Sequence, residues 1–494
     1  MNSTLKFTPI LRLSVLTLLG SVSACVSLVE EPEAFYSPVN LSNEKGLLSL
    51  VNGIYNRLGE YEYYGRSNYI MNDMGSDDTD PGTRGRSERV TIDEFTHDAN
   101  NLSVADVWQN IYNCINRANN TIDIGAGMDL PAVRKAEILG EAYFLRALNY
   151  FNAVRYWGDV PLIVVSPKSL DDIDATGSAK RTPVLEVYSQ IVKDLMMAEQ
   201  TLPLQQKEKG RATKGAAQAL LAKVFLTQKQ WTLAAEFAKK VMDSKQYTLV
   251  PDYANLWLVA NENGSEHIFS LQAQASSLVN SRYTTAFRPG NYTAGFAINL
   301  PMPDLYNSFK EEDYRKQISF LTRFTDPATG KVVLMDAFTP ATSKGRPHIG
   351  KYNDPGPTAN VVANANDTNY PIIRYAEVLL MYAEAVNEAG SPTPEAYAAI
   401  NLIRARARNN NPAALKTLPD LAALDQAAFR QAVRQERRWE LCFEAQRWYD
   451  LVRWDVLVPT LSPTRPNVKA FHKLFPIPQA ERDRNPNLTQ NEGY

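Results

Sequence analysis

The sequence predicts a mainly α-helical protein with one long inserted segment that is loop-rich and partly β-stranded. Most of the chain carries apolar residues three or four positions apart, which is the period of an amphipathic α-helix. Between residues 245 and 370 this period gives way to short β-branched runs, turn residues and many aromatic rings. Because long structureless loops are uncommon in compact proteins, and because aromatic residues argue against disorder, we interpret this segment as a functional subdomain.

Five long helices follow from the apolar period and from the residues at the segment ends. The first begins with Pro131, which suits a first helical turn, and stops before Gly158. Two further pairs of helices are each joined by a short turn, and both pairs place alanines and aromatic rings on one stripe. Such pairs resemble tetratricopeptide units, although their spacing along the chain is irregular. The predicted helices are 131–157, 212–228, 231–244, 372–389 and 394–408.

A sixth helix is predicted over residues 436–454, which contain no glycine or proline. Its carboxylates and arginines recur at steps of three residues, so we expect a ladder of ion pairs along one helix face. Large aromatic rings accompany the charges, which predicts that this helix docks into a larger body. The residues of the expected ladder are Arg437, Glu440, Glu444, Arg447, Asp450 and Arg453.

The N-terminus has the features of a lipoprotein signal. Lys6 and Arg12 precede a short apolar run, and small residues then lead to Cys25. We predict that residues 1–24 are a signal peptide and that Cys25 is acylated, so that its lipid chains attach the protein to the outer membrane. Residues 25–40, which are acidic and contain proline, then form a tether. An ordinary signal peptide that ends near a cysteine is the alternative.

Composition limits the classes of function. A net charge of −2 argues against a nucleic-acid partner, which would call for concentrated basic surface. Hydrophobic content of 44% and charged content of 21% are ordinary for a globular protein. After Cys25 only Cys114 and Cys442 remain, and two distant thiols do not make a disulfide framework. We interpret them as thiols buried within helices.

Motifs typical of catalysis are missing from the sequence. It has no nucleophile elbow, no zinc-protease motif, no phosphate loop and no dinucleotide fingerprint. A glycosidase needs only two carboxylates at a suitable separation, but the sequence does not single out a pair. We therefore expect a protein that is not an enzyme and needs no cofactor. The four histidines are widely scattered and indicate no metal site; they are His97, His267, His348 and His472.

Several short motifs resemble those of the SusD/RagB family of surface glycan-binding lipoproteins. The matches run in order along nearly the whole mature chain and include the 436–454 segment. The resemblance implies four tetratricopeptide-like units, helical regions at 41–244 and 371–494, and a variable ligand-binding region at 245–370. The other matching motifs are Trp-Gln-Asn-Ile-Tyr-Asn-Cys-Ile-Asn-Arg-Ala-Asn at 108–119, Arg-Ala-Leu-Asn-Tyr-Phe at 146–151, Arg-Tyr-Trp-Gly-Asp-Val-Pro-Leu at 155–162, Pro-Ile-Ile-Arg-Tyr-Ala-Glu-Val-Leu-Leu-Met-Tyr-Ala-Glu-Ala at 371–385, Asn-Leu-Ile-Arg-Ala-Arg at 401–406, Phe-Pro-Ile-Pro at 475–478 and Asn-Pro-Asn-Leu at 485–488.

The resemblance also implies a function. Members capture an oligosaccharide or similar nutrient at the cell surface and pass it to a TonB-dependent outer-membrane barrel of the SusC type. We interpret the residues in the matching motifs as scaffold, that is, as core rings and buried ion pairs. They are Trp108, Tyr112, Asn116, Arg146, Tyr156, Trp157, Arg374, Glu377, Glu384, Arg404, Arg447 and Trp454. The alternative is a helical-repeat adaptor lipoprotein that binds only proteins.

Two clusters have the composition of a sugar site. A pyranose is held by flat aromatic rings on its apolar faces and by amide, carboxylate or guanidinium groups on its hydroxyl rim. We expect the rings of both clusters to be presented to a ligand, because they lie in irregular, polar-flanked segments. One cluster, in the aromatic and Asp-rich loop 60–100, is Tyr63, Tyr64, Tyr69, Asn72, Asp73, Asp77, Asp78, Arg84 and Arg86. The other is Arg282, Tyr283, Phe287, Arg288, Asn291, Tyr292 and Phe296.

The Asp-rich turn in the first cluster also offers hard oxygen ligands. Asp77, Asp78 and Asp80 could hold a calcium ion, but the turn lacks the ligand register of a calcium-binding loop. We favour an ordinary solvated turn and expect no metal.

Overall fold

A computed structural model of the chain describes residues 43–82, 86–275, 283–289, 295–326, 328–338, 345–354 and 366–494. The predicted signal peptide 1–24, the tether 25–40 and Cys25 lie outside the described residues. Four predicted site residues also lie outside them, namely Arg84, Arg282, Asn291 and Tyr292. Within the described ranges, no helix is both long enough and apolar enough to cross a membrane.

Helices make up most of the N-terminal part. Side-chain caps fix several of their starts: Asn43 accepts from the backbone N–H of Gly46, and Thr213 accepts from that of Ala216. The helices are α1 (Glu44–Leu58), α2 (Ser67–Asn72), α3 (Ser87–Glu94), α4 (Leu102–Ala126), α5 (Ala132–Trp157), α6 (Leu170–Gly177), α7 (Val184–Thr201), α8 (Lys214–Thr227) and α9 (Trp231–Asp243). A π-helical turn, Tyr61–Gly65, links α1 to α2.

Short elements fill the insertion, and helices resume after it. The helices of the insertion are α10 (Tyr283–Phe287), α11 (Pro303–Ser308) and α12 (Tyr314–Ser319), with 3-10 turns at Tyr253–Trp257 and Val259–Asn261. The C-terminal helices are α13 (Tyr375–Ala389), α14 (Pro394–Ala407), α15 (Ala414–Thr417), α16 (Gln426–Leu441), α17 (Arg447–Arg453), α18 (Leu457–Leu461) and α19 (Gln479–Arg484), with a 3-10 turn at Ala470–Lys473.

The long helices pack in one continuous row. In that row α1 packs on α4, α4 on α5, α5 on α7, α7 on α8, α8 on α9, α9 on α13, and α13 on both α14 and α16. Small residues line the close contacts: α8 buries Ala216, Ala217, Ala219 and Ala222 completely. The five predicted long helices are thus confirmed, except that residues 372–374 belong to a strand rather than to a helix.

Four antiparallel strand pairs form within the described residues, and two of them tie distant segments together. β2, near the start of the insertion, pairs with β8, at its end, and β8 is followed directly by α13. β1 pairs with β3, which joins the Asp-rich turn to the insertion. The strands are β1 (Thr79–Asp80), β2 (His267–Leu271), β3 (Leu300–Pro301), β4 (Phe320–Leu321), β5 (Arg323–Thr325), β6 (Val332–Leu334), β7 (His348–Ile349) and β8 (Tyr370–Arg374); β4 pairs with β7 and β5 with β6.

The prediction of one continuous helix over 436–454 is wrong. The chain leaves the helix after Leu441, and Phe443 and Ala445 adopt left-handed backbone angles, with φ of 65° and 52°. Residues of other elements form hydrogen bonds with backbone groups that a continuous helix would have bonded internally. Tyr370 Oη donates to the Glu444 carbonyl at 2.8 Å, and the Ala445 N–H donates to Asp73 Oδ1 at 3.0 Å. Tertiary hydrogen bonds therefore replace the local helical ones.

The expected ladder of ion pairs is largely wrong for the same reason. Of the predicted three-residue steps, only Arg453 with Asp450 forms an ion pair in the described part of the chain, at 2.8 Å. The other charges reach partners far away in sequence. Arg437 pairs with Asp450, whereas Arg447 holds Asp77. The segment is a junction between elements and not a self-contained charged face.

A buried ionic network lies at this junction. It contains five carboxylates and five cations, so the formal charges cancel. Arg374 illustrates its density, since it contacts Glu266 at 2.9 Å, Glu440 at 2.6 Å and Glu444 at 2.7 Å. Removing one member of such a network leaves a buried charge unpaired, at a cost of about 3–5 kcal/mol. The members are Glu266, Asp313, Arg315, Lys351, Arg374, Arg404, Arg406, Glu436, Glu440 and Glu444.

Candidate functional site

The first predicted sugar cluster is part of the core. Tyr63 is only 1% exposed, and its hydroxyl is hydrogen-bonded by the side chains of Asn149 and Asn152. Asn152 also donates to the hydroxyl of Tyr64 at 2.8 Å. Tyr69, Asn72, Asp73 and Asp78 are buried as well. The expectation that these rings are presented to a ligand is therefore wrong.

The second cluster meets the first, although about two hundred residues separate them in sequence. Tyr69 packs edge-on against Tyr283 at 5.6 Å and against Phe287 at 5.1 Å between ring centroids. Tyr283 in turn stacks on Tyr370 at 4.8 Å, and its hydroxyl donates to the Tyr64 carbonyl. The proximity of the two clusters thus comes from shared packing, and these rings form an aromatic core, not a platform.

Buried polar groups in this region also hold structure together. The Arg288 guanidinium donates to the Asn353 side chain and to the Asp354 carbonyl, and the side chain is 3% exposed. Burial, with like-charge repulsion from Asp78, raises the pKa of Asp73 to about 8. Asp73 accepts from the Ala445 N–H and from the Asn299 amide, so it joins the two halves of the chain.

The carboxylates proposed as calcium ligands are engaged by arginines. Arg447 forms a two-pronged pair with Asp77, at 2.7 and 2.9 Å, and Arg438 reaches Asp78 at 2.8 Å. Asp80 is held by Arg346 at 2.9 Å. Within the described ranges, no group of three metal-ligating side chains converges. The turn is therefore part of an ionic connection and not a solvated loop.

Two members of the predicted clusters face solvent. Phe296 is 43% exposed, and Arg86 is also exposed. The segment that carries Phe296 lies close to Gly82, because a Cβ on Gly82 would lie 2.7 Å from the carbonyl oxygen of Ala297. The described structure thus brings the ends of the two predicted loops together, but it presents only one of their described rings.

A different set of residues forms an open cleft with the composition of a sugar site. The cleft lies between α11, α12 and the turn that follows α14, and it has a volume of about 400 Å³. Ligand clefts in proteins commonly enclose about 300–1,000 Å³. We call it the Tyr306 cleft; its residues are Tyr306, Glu311, Glu312, Asp313, Tyr314, Lys316, Gln317, Thr322, Arg408, Asn409 and Asn411.

Two half-buried tyrosines supply flat surface in the Tyr306 cleft. The Tyr306 ring packs against Phe320, with ring centroids 5.0 Å apart and planes nearly perpendicular, and against Phe338, with centroids 5.3 Å apart. The Lys316 ammonium lies 4.4 Å from the centre of the Tyr306 ring. Burial raises the pKa of Tyr314, and so does the carboxylate of Asp252, to which the Tyr314 hydroxyl is hydrogen-bonded.

Hydrogen-bonding groups surround these rings. Asn409 has a left-handed backbone, with φ of 45°, and both Asn409 and Asn411 are exposed on the turn after α14. Arg408 is anchored by Asp420 at 2.8 Å, and Glu311 forms an ion pair with Lys316. A rim of amides, carboxylates and cations around two rings suits an uncharged polyhydroxylated ligand.

Sequence reasoning missed the Tyr306 cleft for an identifiable reason. Tyr306 and Tyr314 are eight residues apart with Phe309 as the one ring between them, whereas the predicted clusters were chosen where aromatic residues are densest. Dense aromatic sequence here produces a core, because the rings pack on one another. The signal that could have found the cleft is an isolated tyrosine in an acidic and Asn-containing run, such as residues 304–314.

Comparisons with known proteins agree with this architecture. The family model described as the SusD family matches residues 335–470, and the model described as "Starch-binding associating with outer membrane" matches residues 29–226. The SusD-like protein P2 of Formosa agariphila is 31% identical, over 98% of this chain and 99% of the relative.

Solved structures show the same fold. A SusD homolog from Bacteroides thetaiotaomicron superposes with a TM-score of 0.82 at 24% identity, covering 93% of this chain and 99% of that one. A structure named as a laminarin binding SusD-like protein superposes with a TM-score of 0.78 at 25% identity, covering 92% of this chain and 100% of that one. The two family models and the full-length relative lead to one conclusion: the chain belongs to the SusD family of glycan-binding proteins that associate with the outer membrane.

Proposed function

We propose that the protein captures an oligosaccharide in the Tyr306 cleft and delivers it to a SusC-like TonB-dependent barrel. The observation that carries the proposal is the pair of half-buried tyrosine rings set in an open cleft and rimmed by hydrogen-bonding side chains. The cleft draws its rings from the insertion 245–370, the segment for which we expected ligand binding. Capture and release require no bond to be broken, so the proposal contains no catalytic step.

The geometry gives each group a role. The apolar face of a pyranose would lie on the Tyr306 ring, whose neighbours Phe320 and Phe338 hold it in place. The planar Arg408 fork and the exposed Asn409 amide would bind hydroxyl groups on the ring edge. Because these groups sit on packed helices and a fixed turn, little conformational freedom would be lost on binding, which favours affinity.

The membrane arrangement belongs to the same proposal. Acylation of Cys25 would tether the protein to the outer membrane through residues 25–40, and the barrel would accept the ligand. What supports this is the lipoprotein-type N-terminus together with the match to a family model described as associating with the outer membrane. Labelling with radioactive palmitate tests the lipid: wild type should be labelled, and the Cys25→Ala variant should not. Co-purification with the barrel from outer membranes tests the partner.

Calorimetric titration with neutral glucan oligosaccharides, from laminarin and from starch, tests the ligand and the site. We expect Tyr306→Ala to weaken binding about 10- to 100-fold, because losing a buried aromatic contact costs about 1.5–3 kcal/mol. Phe296→Ala is the matched control, since it removes an exposed ring outside the cleft. Loss of binding in Phe296→Ala alone would move the site to the predicted loop. No heat with any glycan would instead favour the protein-binding adaptor.

A further inference from the structure

A small cavity lies where α5, α8, β8 and the turn before α17 meet. Its volume of about 20 Å³ is enough for one particle of the size of a water molecule. It shares no lining residue with the Tyr306 cleft. We call it the Arg155 cavity; the side chains on which the argument rests are Tyr64, Asn152, Arg155, Lys223 and Gln446.

The charges around the Arg155 cavity do not balance. Among the described residues that line it, the two charged side chains are both cations, Arg155 and Lys223. Lys223 has a carboxylate partner, because Glu377 lies 2.8 Å from its ammonium. Arg155 donates instead to the Phe151 carbonyl at 3.2 Å and to the Asn152 side chain at 2.6 Å, which are both uncharged. Since a guanidinium stays protonated in proteins, one positive charge is left without a counterion in the described part of the chain.

Aromatic rings hold this guanidinium in position. Its carbon atom lies 3.9 Å from the centre of the Phe151 ring and 3.6 Å from that of the Tyr449 ring. Such contacts attract a cation but do not cancel its charge. Nε and one Nη2 hydrogen are used by the two uncharged acceptors, so the remaining N–H groups of Arg155 are available to a ligand.

The other polar groups of the wall offer hydrogens rather than oxygens. Asn152 Oδ1 already accepts from Arg155, and Gln446 Oε1 already accepts from Lys223 at 2.7 Å. With its oxygen facing Arg155, the Asn152 amide turns its nitrogen to the Tyr64 hydroxyl and donates to it at 2.8 Å. The Tyr64 oxygen is thus occupied as an acceptor, and its own hydrogen is left to donate.

The titration behaviour of two wall residues agrees with an excess of positive charge. Burial raises the pKa of Tyr64, whereas the charge of Arg155 acts in the opposite direction, so the hydroxyl keeps its proton close to this cation. Burial lowers the pKa of Lys223; Glu377 raises it, and Arg155 lowers it. The two cations therefore repel each other, and an anion between them would relieve that repulsion.

A water molecule would fit this wall less well than an anion. A buried water needs acceptors for its own hydrogens as well as donors. The wall presents N–H groups of Arg155 and Lys223 and the O–H group of Tyr64, and an anion could accept from all three. Hydrogen bonds to a charged acceptor are also about twice as strong as those between neutral groups.

We propose that the Arg155 cavity binds a small monovalent anion of the size of chloride. The anion would accept from Arg155 on α5, from Lys223 on α8 and from Tyr64 in the π-helical turn. It would cancel the surplus charge and join three separate elements of the scaffold. This site is independent of the proposed function, because no glycan contact enters the argument.

Urea unfolding at constant ionic strength tests the proposal, with sodium gluconate replaced stepwise by sodium chloride. Gluconate is too large for the cavity, so it supplies the ionic strength without occupying the site. An anion that binds only the folded state lowers the unfolding equilibrium constant by the factor 1 + [L]/Kd. For a Kd of about 30 mM, replacement of about 300 mM gluconate by chloride should lower that constant about tenfold.

Two variants that each remove one positive charge locate the effect. Arg155→Gln should lose the chloride dependence, so that its unfolding equilibrium constant is the same in both salts within twofold. Arg434→Gln is the matched control. Arg434 also lies over a ring, 4.8 Å from the centre of Trp454, but it does not line the cavity. This variant should keep the full chloride effect of wild type.

Crystals of the wild-type protein grown in sodium bromide provide a test that needs no variant. Bromide scatters anomalously, and we expect an anomalous peak beside the Arg155 guanidinium and the Lys223 ammonium. A cavity that holds only water in these crystals would overturn the proposal, even if Arg155→Gln does not fold. So would equal stability of wild type in the two salts, or a chloride effect that persists in Arg155→Gln. A bromide peak without any chloride effect would mean an adventitious ion only, and the proposal would again be wrong.

Discussion

Replacing Arg447 by alanine should destabilise the whole fold without affecting the glycan cleft. Arg447 is largely buried and holds Asp77 through two contacts of 2.7 and 2.9 Å. Burial alone would raise the pKa of Asp77, but Arg447 and Arg438 outweigh it and keep the pKa below its ordinary value. The carboxylate is therefore charged in the folded protein and needs a cation beside it.

The magnitude follows from what remains after the substitution. Arg438 still lies 2.9 Å from Asp77, but it also serves Asp78 and Asp304, so three carboxylates would share one guanidinium. We therefore expect the low end of the range for breaking a buried pair, about 3 kcal/mol. Unfolding entropy of about 2.1 cal/mol/K per residue, over about 450 residues, converts this loss to a fall in Tm of about 3 °C.

Differential scanning calorimetry measures that fall, with Arg484→Ala as the control. Arg484 pairs with Glu481 at 2.8 Å on the surface, where an ion pair contributes less than about 1 kcal/mol, so its Tm should fall by less than about 1 °C. Arg447 does not line the Tyr306 cleft, and glycan affinity should stay within twofold of wild type. A Tm equal to that of wild type, or a fall no larger than in Arg484→Ala, would refute the reasoning.

Two further predictions concern pH. Because the folded pKa of Asp73 is raised to about 8, its contribution to stability is fully present below the unfolded value of 3.8 and is lost as the pH rises towards 8. The urea midpoint of Asp73→Asn should therefore rise relative to that of wild type as the pH increases from 5 to 8.5. A difference between the two midpoints that stays constant over this range would contradict the prediction. Burial lowers the pKa of His97 to about 3, with neighbouring His472 adding repulsion, and burial lowers the pKa of His472 to about 4. Both remain neutral in the fold but take up protons when unfolded, so stability should fall as the pH drops from 6.5 to 4, and the double variant His97→Gln/His472→Gln should show a flatter profile.

The sequence was sufficient for the helical scaffold and not for its charged junction. Helix periodicity and end signals placed Ala132–Trp157 and Trp231–Asp243 to within one residue at each end. The same rules failed at residues 442–446. The neighbouring sequence contains no signal that Tyr352 and Tyr370 will donate hydrogen bonds to the backbone carbonyls of this segment. Partners more than seventy residues away decide that conformation, and local rules do not see them.

The ligand site shows a related limit. Composition identified residues that do come together in space, since Tyr69 contacts both Tyr283 and Phe287. Composition could not tell whether these rings would be buried or exposed, because core packing and sugar binding use the same flat rings. The distinction depends on how many rings are near enough to bury one another. A pair of tyrosines standing apart on short helices stays accessible, and this is the arrangement of Tyr306 and Tyr314.

The buried ionic network connects the Tyr306 cleft to the helical scaffold. Asp313 caps the start of α12 by accepting from the Arg315 N–H at 3.0 Å, and Arg315 extends from the same turn to Glu436 on α16 at 2.6 Å. Tyr314 and Lys316 of the cleft therefore stand on a helix whose first turn is bonded to the scaffold through fully buried charges. A network of this kind adds little net stability compared with an apolar core of the same volume, but it fixes position and direction. A binding protein that must present rings and hydroxyl ligands in register gains from that fixed geometry, because the side chains are ordered before the sugar arrives.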